Sequence, residues 1–219
     1  YSYNYQNWYP SAKYETINAR KNVGLFDLSS FSKFDLKGKT THDELQKIST
    51  ADVKNIPGKT TYTQMLNEDG GIETDLSIAC INKNHFRIVS SAITREHDKI
   101  HLQKHLSDKI QFKDITEDLC CFGLFGPKSR EMISNLSTDD FSNENFKFGY
   151  AKFIKIGDIN VWAQRLSYVG ELGYELYVES SEAKNLYKKL IKEGKNFSLS
   201  HCGMHAMDIM RMESGFLHW

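Results

Sequence analysis

The sequence predicts an α+β fold with mixed, mainly antiparallel sheets and flanking helices. Two hairpin patterns, at residues 62–79 and 152–165, supply neighbouring antiparallel strands. Helical and strand-like segments are interspersed along the rest of the chain. Because short turns join more strands than long crossovers do, antiparallel pairing is expected to dominate.

The first elements are a short helix at 12–21 and an extended segment at 25–36. Side chains in the extended segment alternate in character, as expected for a strand. A helix follows, capped by Thr40 and Thr41. Glu44 stands three residues after Thr41, as in a capping box.

The clearest local feature is the first hairpin, with strands at 62–66 and 75–79. The segment Asn67-Glu68-Asp69-Gly70-Gly71 joins them and supplies residues that tolerate a positive φ. The tip of this hairpin is therefore expected to turn tightly and present polar atoms.

The later elements follow from the same patterns. Charged residues separate the apolar positions of 95–106, which is typical of an exposed helix, and 119–125 is an apolar run that predicts a buried strand. Pro127 opens a helix that is expected to end at Leu136. The other predicted elements are strands at 86–90, 152–156, 159–165 and 175–178 and helices at 181–193 and 203–214.

The composition describes a folded globular protein without an obvious polyanionic partner. The chain has 219 residues, with 28 basic and 28 acidic side chains, and 40% of its residues are hydrophobic. A net charge of zero supplies no field that attracts a nucleic acid or an anionic membrane, so neither is expected as a partner. No apolar run approaches the ~18 residues of a membrane span, and residues 1–9 lack a signal-peptide pattern. A cytoplasmic location is expected.

The ends of the chain indicate a piece of a larger protein. It opens at Tyr1 rather than at a methionine, and it stops at Trp219, directly after an apolar cluster. Residues 1–219 are expected to form one domain. The polar loop 138–145 is the candidate for a boundary between subdomains.

Two conspicuous patterns are interpreted as structural. His97, His101 and His105 lie four residues apart on one helical face, but no HExxH motif or partnering carboxylate accompanies them. A solvated helix face is favoured, and no metal site is expected. Cys120 and Cys121 lie in an apolar strand, and the chain has no CxxC motif, which favours reduced, buried thiols.

Two turns carry the remaining candidate residues. Asp75 follows the first hairpin turn, where a carboxylate can accept a proton or stabilise a cation, although an aspartate after a turn more often caps backbone. Tyr168 and Glu175 flank the Gly170–Gly173 turn, which lacks the third glycine of a dinucleotide fingerprint. A tyrosine offers a ring for stacking, and a glutamate can accept two N–H donors from a flat heterocycle. The alternative is a hairpin with an exposed acid.

Five motifs, taken in order, resemble the glycine cleavage system T-protein family, the folate-binding aminomethyltransferases. They begin at Val23, Tyr62, Phe125, Arg165 and Met210, and they read VGLFDLSSFSKF, YTQMLNEDGGIETDL, FGP, RLSYVGELGYEL and MRMESG. Segments 5–10, 29–34 and 215–219 look more like the carboxyl-terminal half of dimethylglycine and sarcosine dehydrogenases. The resemblance covers nearly the whole chain.

This resemblance implies a tetrahydrofolate site and a reaction. A one-carbon unit would pass from a small amine such as glycine, sarcosine or dimethylglycine to tetrahydrofolate, forming methylenetetrahydrofolate. By motif, Asp75 matches the catalytic carboxylate. Three residues match cofactor contacts: Tyr62, Tyr168 and Glu175. Arg211 is the candidate for the folate's glutamate tail, because Met207 stands where the family commonly has an arginine.

The resemblance also implies partner domains in a longer parent chain. The family continues beyond this segment with a β-rich C-terminal domain of about a hundred residues. Its dehydrogenase members carry FAD in an N-terminal domain. Two alternative functions stay open: a folate-dependent demethylase of another methylated donor, and a folate-binding scaffold without catalysis.

Overall fold

The computed structural model describes residues 3–218 and divides into two compact units. The first unit comprises the residues up to Leu28, Cys120–Phe148 and the residues from Phe153 onward. The second comprises Ser29–Leu119 and Gly149–Lys152. The loop 138–145, where the sequence predicts a boundary, lies within the first unit.

Six helices and eleven strands are present in the described residues. The helices are α1 (Tyr9–Lys21), α2 (Thr41–Ile48), α3 (Arg95–His105), α4 (Ser129–Ser134), α5 (Ala183–Gly194) and α6 (Met204–Glu213). The strands are β1 (Gly24–Asp27), β2 (Ser32–Lys37), β3 (Thr60–Leu66), β4 (Ile72–Asn82), β5 (His85–Ser90), β6 (Gln111–Asp114), β7 (Leu119–Phe125), β8 (Ala151–Ile156), β9 (Ile159–Gln164), β10 (Gly173–Glu179) and β11 (Ser200–Cys202).

The first unit is built on a six-stranded sheet with the order β11-β1-β7-β10-β9-β8. Strand β1 pairs antiparallel with β7 and parallel with β11, and β9 pairs antiparallel with β10. Asn18 of α1 ties this edge together, since its Nδ2 donates to the Ser198 carbonyl and to Ser200 Oγ, both at 2.8 Å. The helix and the last strand are thereby fixed to each other.

The second unit is built on a five-stranded sheet with the order β3-β4-β5-β2-β6, in which each neighbouring pair is antiparallel. One face of this sheet carries the apolar core. Its central residues are fully buried, and α2 and α3 contribute Leu45 and Leu102 to the same cluster. The strand alternation that buries one set of side chains places the intervening polar set on the opposite face.

The predicted α+β class with mainly antiparallel sheets is confirmed. The first hairpin forms as β3 and β4, and the second as β8 and β9. The prediction of a single extended segment at 25–36 is wrong, because this part of the chain divides into β1 and β2, which belong to different sheets. The helix expected to reach Leu136 is also shorter, since α4 ends at Ser134.

The capping of α2 differs from the predicted capping box. Thr40 occupies the N-cap position without a side-chain bond to the backbone, and its hydroxyl donates to Glu44 Oε1 at 2.6 Å. Glu44 Oε2 instead accepts the backbone N–H of Ser107 at 2.7 Å. The carboxylate therefore ties two segments of the second unit together. No helix among residues 3–218 is long and apolar enough to cross a membrane.

Candidate functional site

The structure distributes the predicted site residues over both units. Asp75 and Tyr62 lie on adjacent strands of the five-stranded sheet, β4 and β3. Glu175 lies on β10 of the six-stranded sheet, Tyr168 lies in the loop before that strand, and Arg211 lies on α6.

Asp75 lies opposite Gln64 in the β3–β4 ladder. Thr74 and Leu76 on either side of it are buried in the core, so alternation places the half-buried Asp75 on the other face. Gln64 Nε2 donates a 2.9 Å hydrogen bond to Asp75 Oδ1. Oδ2 has no protein partner within residues 3–218, so it can face a cation.

Tyr62 lies two residues before Gln64 on the same strand and so shares a sheet face with it. Its side chain is 61% exposed, and it stands opposite Ser77 in the ladder. An exposed aromatic ring close to a carboxylate can stack on a ligand.

The same face of the sheet holds a buried charge cluster that the sequence analysis missed. Arg87 donates from Nε to Asp35 Oδ1 at 2.8 Å and from a terminal nitrogen to Oδ2 at 3.0 Å, and His85 Nε2 lies 3.0 Å from Oδ2. Burial alone raises the pKa of Asp35, but its contacts with His85 and Arg87 outweigh this and lower the pKa to about 2. Alternation in β2 and β5 was the signal that could have placed these residues on one face.

Glu175 is half-buried and accepts a 2.7 Å hydrogen bond at Oε2 from the hydroxyl of Tyr177. Burial raises the pKa of Glu175, and the bond from Tyr177 offsets only part of this rise. Burial and the neighbouring carboxyl and thiol raise the pKa of Tyr177 well above its usual value. Burial therefore makes the charged carboxylate less favourable here than in water, and an additional N–H donor would offset this cost.

Two further polar side chains share the Glu175 face. In the β9–β10 ladder Gln164 stands opposite Glu175, and Trp162 stands opposite Tyr177. Gln164 is 1% exposed and Trp162 is 4% exposed. Within residues 3–218, neither amide atom of Gln164 nor the indole N–H of Trp162 has a hydrogen-bond partner. Buried donors and acceptors are normally satisfied, so these atoms are candidates for hydrogen bonds to a bound ligand.

Tyr168 and Arg211 both attach to the segment after α6. The Tyr168 hydroxyl donates to the Leu217 carbonyl at 3.1 Å, and its ring stacks on Phe216 with centroids 6.0 Å apart. One Arg211 terminal nitrogen donates to the Phe216 carbonyl at 3.3 Å, and Nε donates to Asp208 at 3.2 Å. The structure thus brings Tyr168 and Arg211 to one segment.

Arg20 of α1 fixes the loop that carries Tyr168. Its guanidinium donates to the Val169 carbonyl at 2.6 Å and to Glu171 at 3.0 Å. The other terminal nitrogen donates to the Met210 carbonyl at 3.0 Å and to Glu213 at 2.9 Å. In the same loop Gly170 has φ +71°, and a Cβ there would collide with Ser214 Oγ. The loop conformation therefore depends on both residues.

The three helical histidines are engaged with protein groups. His97 Nε2 lies 3.0 Å from Glu73 Oε2, and the rings of His101 and His105 lie 4.4 Å apart. Burial, followed by the charge of His105, lowers the pKa of His101. In the described part of the chain, no three His, Cys, Asp or Glu side chains are arranged to hold a metal ion.

The four cysteines are free thiols. Cys80, Cys121 and Cys202 are buried, as the sequence predicts, whereas Cys120 is partly exposed. Burial raises the pKa of Cys202 to about 11 and also raises that of Cys80. These two thiols are therefore poor nucleophiles at neutral pH.

Known proteins are similar to this chain in sequence and in fold. The chain is 36% identical over its whole length to 4-methylaminobutanoate oxidase (formaldehyde-forming) from Paenarthrobacter nicotinovorans, of which it covers 27%. It is 30% identical to human mitochondrial sarcosine dehydrogenase, again over its whole length and over 26% of that protein. It therefore spans about a quarter of each relative.

A solved structure supports the fold. The crystal structure of glycine cleavage system aminomethyltransferase T from Bartonella henselae superposes with a TM-score of 0.82 at 23% identity, covering 94% of this chain and 55% of that one. The family of the GCVT N-terminal domain matches residues 1–219. Relatives, fold and family agree, and the chain belongs to the GCVT N-terminal domain family.

Proposed function

We propose that the protein transfers a one-carbon unit from the iminium or aminomethyl form of an amine donor to tetrahydrofolate, giving methylenetetrahydrofolate and releasing the amine. The observation that carries the proposal is the face around Glu175. Its half-buried carboxyl and the unpartnered polar atoms of Gln164 and Trp162 fit a flat heterocycle with hydrogen-bonding edges. Membership of a family whose relatives include an aminomethyltransferase supports the same chemistry.

When bound, tetrahydrofolate supplies the nitrogen nucleophile that accepts the one-carbon unit. Glu175 would accept N–H donors from the pterin edge, and Tyr62 and Tyr168 would contribute ring surfaces. Arg211 would pair with a carboxylate of the glutamate tail. The roles of Glu175, Tyr62 and Tyr168 are implied by the sequence motifs, whereas Arg211 is proposed because Met207 stands where the family commonly has an arginine.

Asp75 is proposed as the catalytic carboxylate. Gln64 holds Oδ1, which leaves Oδ2 to stabilise positive charge on the donor nitrogen and to take up a proton released during transfer. Because the amide of Gln64 fixes the carboxylate without neutralising its charge, Asp75 can serve both purposes.

The substitution Asp75→Asn tests this function. Binding of tetrahydrofolate, measured by titration of the intact protein, should persist. Formation of methylenetetrahydrofolate from an amine donor should fall about 100-fold or more, since a general base contributes at least this much. The control is Asp69→Asn, the same change in the exposed hairpin turn.

Three outcomes of this experiment separate the alternatives. Unchanged transfer in Asp75→Asn would remove Asp75 from the mechanism. Binding without transfer in the unmodified protein would support a folate-binding scaffold. If the unmodified protein fails to bind tetrahydrofolate, the proposal fails.

The identity of the donor has a second candidate. A formaldehyde-forming oxidase of a methylated amine is 36% identical to this chain, which favours an N-methylated amine over glycine. If the donor is a methylated compound other than sarcosine or dimethylglycine, the protein would be a folate-dependent demethylase, and any FAD-dependent oxidation would belong to another domain of the parent protein. Comparing turnover of glycine, sarcosine, dimethylglycine and 4-methylaminobutanoate by the intact protein distinguishes these donors.

A further inference from the structure

The side chain of Gln164 destabilises the folded, ligand-free protein, because its amide is buried without hydrogen-bond partners. It ends β9 in the interior of the six-stranded sheet, and the side chains before it, Val161 and Ala163, are fully buried on the opposite face. Both Oε1 and Nε2 are inaccessible and lack a partner within residues 3–218. An apolar side chain of similar size would suit the free protein better.

The position of Gln164 gives it a direct relation to Glu175. The two residues oppose each other in the antiparallel ladder, so their Cβ atoms are about 5 Å apart and their side chains leave the same face. Yet the Glu175 carboxylate bonds to Tyr177 and not to the amide of Gln164. The two side chains thus leave the same face of the sheet without a hydrogen bond between them.

We propose that Gln164, together with Glu175, forms hydrogen bonds with the polar edge of the bound heterocycle and so recognises it. This inference rests on the proposed function, and it adds a specificity residue to that site. A carboxylate only accepts hydrogen bonds, whereas a primary amide offers two N–H donors and one acceptor oxygen. Together, the carboxylate of Glu175 and the amide of Gln164 would select a ring edge that presents two adjacent N–H donors followed by a carbonyl acceptor.

The ligand class that fits is a heterocycle with a 2-amino-4-oxopyrimidine edge. Its amino group and ring N–H match Glu175, and its carbonyl oxygen matches the Gln164 amide N–H. A ring that lacks the carbonyl would leave the amide buried and unpaired, so it would be rejected. Trp162 supplies another unpartnered N–H on the same face.

The test uses Gln164→Leu and Gln164→Met in the intact protein, with Gln103→Leu at an exposed position of α3 as the matched control. The probes are tetrahydrofolate and tetrahydropterin, which carries the ring system without the tail. Both Gln164 variants should bind each probe about 10- to 100-fold more weakly. The same variants, without ligand, should melt at or above the temperature of the unmodified protein, because an unsatisfied amide has been removed.

Weaker binding of the probes together with an equal or higher melting temperature would show that Gln164 serves ligand binding and not the stability of the fold. Wild-type affinity for both probes in the Gln164 variants would overturn the inference while leaving the proposed function intact. A lower melting temperature of the ligand-free variants would also overturn it, because Gln164 would then serve the fold. If the unmodified protein binds neither probe, the proposed function fails and this inference fails with it.

Discussion

Gln64 Nε2 donates a 2.9 Å hydrogen bond to Asp75 Oδ1, directly across the β3–β4 ladder. An aspartate that follows a turn often caps backbone, but here its first carboxylate oxygen is held by a side chain of the neighbouring strand. The bond fixes the orientation of the carboxylate and directs Oδ2 away from Gln64. Gln64 is thus a positioning residue for Asp75.

Replacing Gln64 should therefore affect catalysis more than binding. Gln64→Leu removes the donor, so Asp75 gains rotational freedom, and we expect kcat for one-carbon transfer to fall about 10-fold while KM for tetrahydrofolate stays near its original value. Steady-state kinetics of the intact protein measure both constants. Gln111→Leu, at an exposed position of β6, is the control. A rise in KM with unchanged kcat would show that Gln64 contacts ligand instead.

The pKa of Glu175 should determine how the affinity for tetrahydrofolate depends on pH. Burial raises the pKa of this carboxyl, so the free protein retains the proton at pH values above the ordinary 4.5. Ligand N–H donors require the carboxylate, so affinity should increase as the pH rises through the Glu175 pKa and then level off. Titrations across this range should show the increase, and Glu175→Gln should flatten it.

The same shift has the opposite effect on the stability of the ligand-free protein. A raised pKa in the folded state means that the folded protein binds more protons than the unfolded chain between 4.5 and the raised value. The free energy of unfolding therefore declines as the pH rises through this window. A larger decline in Glu175→Gln than in the unmodified protein would contradict the assignment.

Asp35 should stabilise the second unit through its bond to Arg87. Asp35→Asn leaves a buried guanidinium without its counter-charge, and we expect the free energy of unfolding at pH 7 to fall by about 3–5 kcal/mol. Denaturant titration measures it. Glu117→Gln is the control: it also removes a carboxylate bonded to an arginine, but that carboxylate is 83% exposed. Equal losses in the two variants would contradict the role of burial.

The stability of the protein at acid pH should depend on the same carboxyl group, that of Asp35. The pKa of Asp35 is lowered to about 2 from 3.8, so its contribution is complete above 3.8 and disappears as the pH falls towards 2. In Asp35→Asn this part of the acid dependence should be absent.

Alternation within one strand could be predicted from sequence, whereas pairing between distant strands could not. The first hairpin was recognised because its turn residues and its apolar period occur together in one short segment. That pattern also places Asp75 and Tyr62 on neighbouring strands. The exact register depends on an irregularity between Met65 and Leu66 that the pattern does not reveal.

The side chains that surround Glu175 on its face of the sheet could not be predicted from the sequence. A glutamine at the end of a strand is usually exposed, so only the ladder reveals that Gln164 is buried opposite Glu175. The three-residue strand β11 and the four-residue strand β6 were not predicted, because each is too short to show alternation. Both are defined by partners far away in the sequence.

Arg20 provides the last prediction, since it joins α1 to the loop before β10 across 149 residues of sequence. Arg20→Met removes donors to the carbonyls of Val169 and Met210, and we expect a loss of about 1–3 kcal/mol in the free energy of unfolding. Because Tyr168 adjoins Val169, affinity for tetrahydrofolate should also fall. Lys21→Met is the control, with the same loss of charge at the adjacent exposed position. Equal effects in the two variants would mean that charge, and not the anchoring of the loop, is responsible.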